Sequence, residues 1–288
     1  MRNCHHRLKI VVKDEIQELV KVIREEYELG KCGIPWLPYC GKGHDQAKTK
    51  IYVCGKAGGS WGLKYVSVNG WNENSNLASV KLENGYYEVG DWYDEMLRVI
   101  CEFVDGGVRP FWSGREGGFT QGAWWREIYK VAGALLCGQE IPETWSFRKD
   151  GNPRVANIIL NSIAWSNLHK ISEFRGNPRR ALLKLHKGHY TIKREIAKLK
   201  PNVVWFPTAP GYDHILRRAL SLPKGSIVDT EYPGIARVRG LEDLMDPDRS
   251  IALRTYHPQG RKFDAQTPQS LVNCIREAGV CQPLLHHS

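Results

Sequence analysis

Apolar positions along the chain follow two rhythms. In Val12–Leu29 they fall at Ile16, Leu19, Val20, Val22 and Ile23, the spacing of one helical face, with Gly30 placed to end the helix. In Ile51–Cys54, Asn202–Thr208 (NVVWFPT) and Ile251–Tyr256 (IALRTY) they form short continuous runs, the pattern of strands buried on both faces. Val155–Trp165 is a fourth apolar run and is read here as another buried strand. Helical patterns occupy Asp91–Val104, Gly122–Leu136, Pro178–Leu199, Tyr212–Ser221 and Thr267–Ala278. Strands alternating with helices predict βα units and a parallel sheet covered on both faces. The expected organisation is a helical extension over residues 1–45 followed by one α/β domain over residues 46–288. A polar, Asn-rich stretch at Ser67–Gly85 reads as an excursion from the core.

Composition narrows the class. In 288 residues, 42% are hydrophobic and 25% charged, values of a folded protein with a core. Ten tryptophans fill core positions for the most part, and a few could serve as stacking platforms. No window is long and apolar enough for a membrane span, and the first residues lack the apolar core of a signal peptide. The eight cysteines contain no CxxC pair, so the expected state is cytoplasmic with reduced thiols. Cys32, Cys40 and His44 are the nearest thing to a metal set, but their spacing does not fit the common zinc patterns, so neither metal nor other cofactor is expected. The expected state is a monomer.

Charge changes the picture more. Lys+Arg 41 against Asp+Glu 31 gives +10, and the excess is concentrated. Between residues 170 and 200 lie ten Lys/Arg against Glu173 and Glu195 alone. A solvated helix face mixes both signs, so this segment suggests a surface for a polyanion such as nucleic acid.

Ligands of open parallel sheets bind beyond the carboxyl ends of the strands. The residues collected there are Gly55-Lys56-Ala57-Gly58-Gly59-Ser60, then Ser166-Asn167-Leu168-His169-Lys170, then Thr208-Ala209-Pro210-Gly211-Tyr212-Asp213, and finally His257-Pro258-Gln259-Gly260. Singly each has an ordinary structural explanation: a turn, a cap, a solvated lysine, a core histidine. Together on one rim they make a candidate site.

That ordered set resembles the uracil-DNA glycosylase superfamily. WSNLHK (Trp165–Lys170) is similar to a T-N-x-x-K segment, RPFWSGREGG (Arg109–Gly118) to R-P-F-x-G-x-x-G, and TYHPQG (Thr255–Gly260) to H-P-S. GKAGG (Gly55–Gly59) stands where one branch has G-E-A-P-G. The likeness extends from about Ile51 to Pro258 and is nearer to divergent bacterial members. It implies a three-layer α/β/α sandwich around a mainly parallel four-stranded sheet, and a monofunctional DNA glycosylase, active on duplex or single-stranded DNA, that flips out a base and cleaves its N-glycosidic bond.

The resemblance also assigns roles. Phe111 would stack on the extruded base, Asn167 would read its hydrogen-bonding edge, and Gly55, Ala57 and Tyr212 would line the pocket. His257 would stabilise the departing base, a contribution of about 3 kcal/mol for one preorganised donor. Ser60, Gln259, Lys170, Arg175, Arg179 and Arg180 would hold the DNA backbone. One departure stands out: Lys56 occupies the place of the water-activating Glu. A lysine there points either to electrostatic stabilisation of the leaving base or to attack by the amine on the sugar carbon. Asp213, Asp91 and Asp94 are candidates for the missing carboxylate. The base could be uracil or another deaminated base, or a bulky hypermodified base of phage DNA removed in antiviral defence. A chain that kept the fold but lost the chemistry would instead be a DNA-binding module.

Overall fold

The computed structural model describes Glu15, Glu18, Leu19 and Val22, then residues 38–57, 112–113, 118–119, 123–141, 152–171, 180–258, 260 and 262–281. Its centre is a seven-stranded mixed sheet. The strands are β1 (Tyr39–Cys40), β2 (Ile51–Ala57), β5 (Ile163–His169), β6 (Val203–Phe206), β7 (Ile227–Asp229), β8 (Ala236–Val238) and β9 (Ile251–Arg254), in spatial order β1-β5-β2-β6-β9-β8-β7. The four central strands, β5, β2, β6 and β9, run parallel, and β1, β8 and β7 add to the edges antiparallel. A separate pair, β3 (Trp112–Ser113) and β4 (Gly118–Phe119), is antiparallel. The expected alternation and parallel centre are therefore present, but the sheet is larger than four strands. The added strands are only two or three residues long, too short to leave a periodic signal.

Alternation along the parallel strands divides the core in two, as the period of two demands. Ile51 and Val53, Ile163 and Trp165, Val203 and Trp205, and Ile251 and Leu253 share one cluster. Helices α1 (Ala123–Cys137), α2 (Pro153–Ser162) and α6 (Thr267–Glu277) bring Ile128, Val131, Ile159, Leu160, Leu271 and Ile275 to it. Tyr52, Cys54, Ala164, Val204, Phe206 and Ala252 face the other way. There α4 (Ile192–Leu199) and α5 (Asp213–Leu220) supply Ile192, Ile196, Leu216 and Leu220. Each such side chain fully buried contributes about 1.5–3 kcal/mol relative to exposure.

Two sequence expectations are corrected. Val155–Trp165 is not one strand: α2 occupies Pro153–Ser162 and β5 starts at Ile163. Asn152 caps the helix by accepting from the amides of Arg154 and Val155 at 2.9 and 3.4 Å, and Pro153 opens it. The buried residues Ala156, Ile159 and Leu160 carry helical spacing, which the continuous apolar run conceals. The Pro178–Leu199 pattern likewise divides into α3 (Arg180–Leu185), a 3-10 turn at His186–Gly188 and α4.

Described residues of the N-terminal region pack against the domain. Leu19 is helical and buried in the first cluster, and Tyr39–Cys40 forms an edge strand. The expected helix at Asp91–Val104 and the Ser67–Gly85 excursion lie outside the described residues. Among the described residues no helix is long and apolar enough to cross a membrane. Cys54, Cys137, Cys274 and Cys281 are free as expected, whereas Cys40 is disulfide-bonded, which corrects the expectation of wholly reduced thiols.

Candidate functional site

In chain order the four parallel strands stand second, first, third, fourth across the sheet. The order reverses between β2 and β6, so a crevice opens beyond their carboxyl ends. Lys56 lies in the last turn of β2, and the connection from β6 to α5 carries Thr208 to Tyr212 over the same edge. Beside β2, Asn167 is in register with Gly55 on β5. Beside β6, β9 leads through Thr255 and Tyr256 to His257. The sheet thus brings Gly55, Lys56, Asn167, Tyr212 and His257 to one rim, as the sequence suggested.

Gly55 explains how Asn167 is placed. A Cβ built on it would stand 2.5 Å from Asn167 Oδ1 and 2.9 Å from Cη2 of Trp124, closer than real side chains approach. The amide of Asn167 and the indole of Trp124 therefore lie over bare backbone. Trp124 in turn sits 5.6 Å from the His257 ring, centroid to centroid, with the planes tilted by 30°. Gly55→Ala is expected to displace both groups, with an overpacking cost of about 1–3 kcal/mol. Thermal unfolding of that variant, set beside an activity assay, checks the expectation.

Trp124 is the site residue that sequence reasoning missed. It is one of ten tryptophans that nothing singles out in the sequence, and its signal is position alone: the first turn of the helix following a glycine-rich turn.

Lys56 is half-buried, with Nζ 4.9 Å from the centroid of Tyr212. Burial pulls its pKa below the ordinary lysine value. Burial first, and then the nearby Lys56 charge, lower His257 to about 4, so its imidazole is neutral at pH 7. Behind Tyr212, 6.1 Å away, lies His169, wholly buried, with neither ring nitrogen hydrogen-bonded. Ala209 is held at φ 70 and ψ 155, a conformation ordinarily left to glycine, at a cost of about 1–3 kcal/mol. Its N–H donates to Thr255 O at 2.9 Å and its carbonyl accepts from Tyr212 N at 3.0 Å, which ties the β6 and β9 ends together.

Asp213 opens α5 close to this rim, but it is not a free carboxylate. The buried guanidinium of Arg254 pairs with it, Nε to Oδ1 at 3.2 Å, and reaches Asp229 at 3.5 Å. Burial raises the Asp213 pKa, and Arg254 and Arg217 oppose that shift.

Lys170 corrects a further expectation. It does not face DNA: its side chain is 1% exposed and its Nζ lies 2.7 Å from Glu195 Oε1, itself 0% exposed. Lys170 also donates to Ser166, Thr191 donates to Oε1 of Glu195, and Tyr52 donates to Oε2 at 2.5 Å. The ammonium folds back beneath the end of β5 because an ion this deep needs a full set of partners. This network anchors β5 one residue from Asn167 at Ser166 and three residues from it at Lys170.

With Glu195 turned inward, the exposed charge of residues 180–200 is positive: Arg180, Lys184, Lys187, Lys193, Lys198 and Lys200, with Arg194 paired to Glu15. Arg180 is thus on the surface, as expected of a backbone contact. Phe111, Ser60, Arg175, Arg179, Gln259, Asp91 and Asp94 lie outside the described residues, as does the side chain of Ala57. Among the described residues no cluster of His, Cys, Asp and Glu could hold a metal ion.

Three buried histidines give the fold a pH signature. Burial is the leading cause that lowers His44 and His186 to about 4 and His169 to about 3, from 6.5. His186 is fixed by Nδ1 at 2.7 Å from Leu182 O and by Ile171 N donating to Nε2 at 3.3 Å. The unfolded chain takes up these protons near pH 6.5 while the folded one resists until about pH 4 or below. Stability therefore falls as pH drops through that window, by about 1.4 kcal/mol per pH unit per histidine. Urea midpoints at pH 7.5 and pH 5 are expected to show the drop, with imidazole resonances that do not titrate above pH 5 in the folded state.

Comparison of the chain with protein-family models, with curated proteins and with solved structures gave no match.

Proposed function

We propose that the protein is a DNA glycosylase that extrudes a uracil or modified base and hydrolyses its N-glycosidic bond, leaving an abasic site. The observation that carries this reading is the convergence of Asn167, His257 and Lys56 at the switch point of a parallel sheet, in a chain with an exposed basic segment over residues 180–200. The fold it implies is a three-layer sandwich of the uracil-DNA glycosylase kind, with the four parallel strands as its centre. Its order of parallel strands and the motif residues at their ends support that likeness.

In this reading the Asn167 amide, held over Gly55, offers a donor and an acceptor to the edge of the flipped base. As the glycosidic bond breaks, its electron pair stays on the base nitrogen and charge develops on the base carbonyl. The neutral His257 imidazole can donate one hydrogen bond to that oxygen without first gaining a proton, and the Lys56 charge nearby favours the anion. Asp213 is engaged by Arg254, so capture of the sugar cation by water depends on a group other than a free Asp213 carboxylate. Base extrusion costs a few kcal/mol, which contacts from Arg180, Lys184 and Lys187 to phosphates would offset.

Two substrate classes fit: a deaminated base, and a bulky hypermodified base of phage DNA removed in antiviral defence. The second draws support from Lys56 in place of an acid. The test is end-labelled duplex and single-stranded DNA carrying each base, treated with protein and then with alkali. Breaks at one base, lost in Asn167→Ala, support the reading. Salt-sensitive binding with no break in any uracil, deaminated or phage DNA would leave a DNA-binding module.

A further inference from the structure

We propose that Lys56 forms a Schiff base with the abasic sugar, giving the protein a second activity: strand cleavage at the site that base removal leaves. The inference rests on the glycosylase reading for the origin of its substrate, and extends the monofunctional enzyme expected from sequence. Two lysines are withdrawn from solvent near the site, and the contrast between them carries the argument. Lys170 is locked to Glu195 at 2.7 Å and hydrogen-bonded to Ser166, a structural cation. Lys56 sits at the mouth of the crevice, over the Tyr212 ring, and among the described residues it makes no ion pair and no hydrogen bond. An amine desolvated without a carboxylate partner is the kind that enzymes use as a nucleophile toward carbonyls. Its lowered pKa agrees with that use. A cation serving only to attract phosphate would be more effective in solvent, where Lys184 and Lys187 stand.

The chemistry balances without an added reagent. The neutral Lys56 amine adds to C1′ of the ring-opened abasic aldehyde, and loss of water with uptake of one proton from solvent gives the iminium. Removal of a C2′ proton, by water or by the neutral His257 imidazole, expels the 3′-phosphate and breaks the strand. Water then hydrolyses the imine, which returns the amine and releases an unsaturated aldehyde on the 5′ fragment.

A duplex already carrying one abasic site tests this independently of base excision. Incubated with the full chain and sodium borohydride, it is expected to give a covalent protein–DNA adduct. That adduct should fall to background in Lys56→Met and in Lys56→Arg, which keeps the charge but forms no such imine, and persist in Lys224→Met. Both Lys56 variants are checked for folding by circular dichroism. No adduct, or one undiminished in a folded Lys56 variant, overturns the inference. Base release without an adduct would sink the lyase and leave the glycosylase. An adduct on the preformed site without base release from any DNA would do the reverse.

Discussion

Glu195→Ala is expected to be among the most damaging single changes to the fold, costing about 3–5 kcal/mol because it strands the Lys170 ammonium in the interior. That ion is 1% exposed, and among the described residues its partners are Glu195 and Ser166. Thr191 and Tyr52 would also lose the acceptor they share. Against a domain stability of about 5–15 kcal/mol, the loss is about a fifth of the total or more. The urea midpoint measures it. Replacing the pair together, Lys170→Met with Glu195→Leu, should recover most of the loss, since an apolar pair of similar volume removes both desolvation penalties. If the double variant is no more stable than the single one, the ion pair is not the cause.

His257→Ala is expected to lower the rate of base release by about 10²–10³ while DNA affinity stays within a few-fold. The histidine acts on charge that appears only as the bond breaks, so the loss should fall on the chemical step. Single-turnover kinetics separate that step from binding. Because burial and Lys56 hold the imidazole near 4, the acid limb of His257 should lie well below the 6.5 of a free histidine. Relieving the Lys56 charge in Lys56→Met should move that limb upward, which a merely structural His257 would not show.

The parts of the fold legible in the sequence are those whose environment leaves a one-dimensional trace. β2, β6 and β9 are buried on both faces and read as apolar runs, and α5 and α6 expose one side and α1 leaves one side partly buried, so all three read by their period. The junction of α2 with β5 was not legible because Ser162 and Ile163 adjoin without a turn, and both elements are apolar on their buried sides. The edge strands were missed because two or three residues carry no period.

At the site, the rim residues were legible because a parallel sheet sends its strand ends to one side. Orientation was not. Lys170 follows the same strand as Asn167, and nothing in its residue type tells that it turns inward to a carboxylate on α4. Trp124 entered the site only through a contact across Gly55, a tertiary fact with no local signature.

The most direct measurement of the central claim is mass-spectrometric detection of free base. The full chain is incubated with DNA carrying uracil, other deaminated bases, or the hypermodified bases of phage genomes. Release of one class of base is expected, reduced by about 10²–10³ in His257→Ala. Failure to release any base by a folded, DNA-binding protein would contradict it.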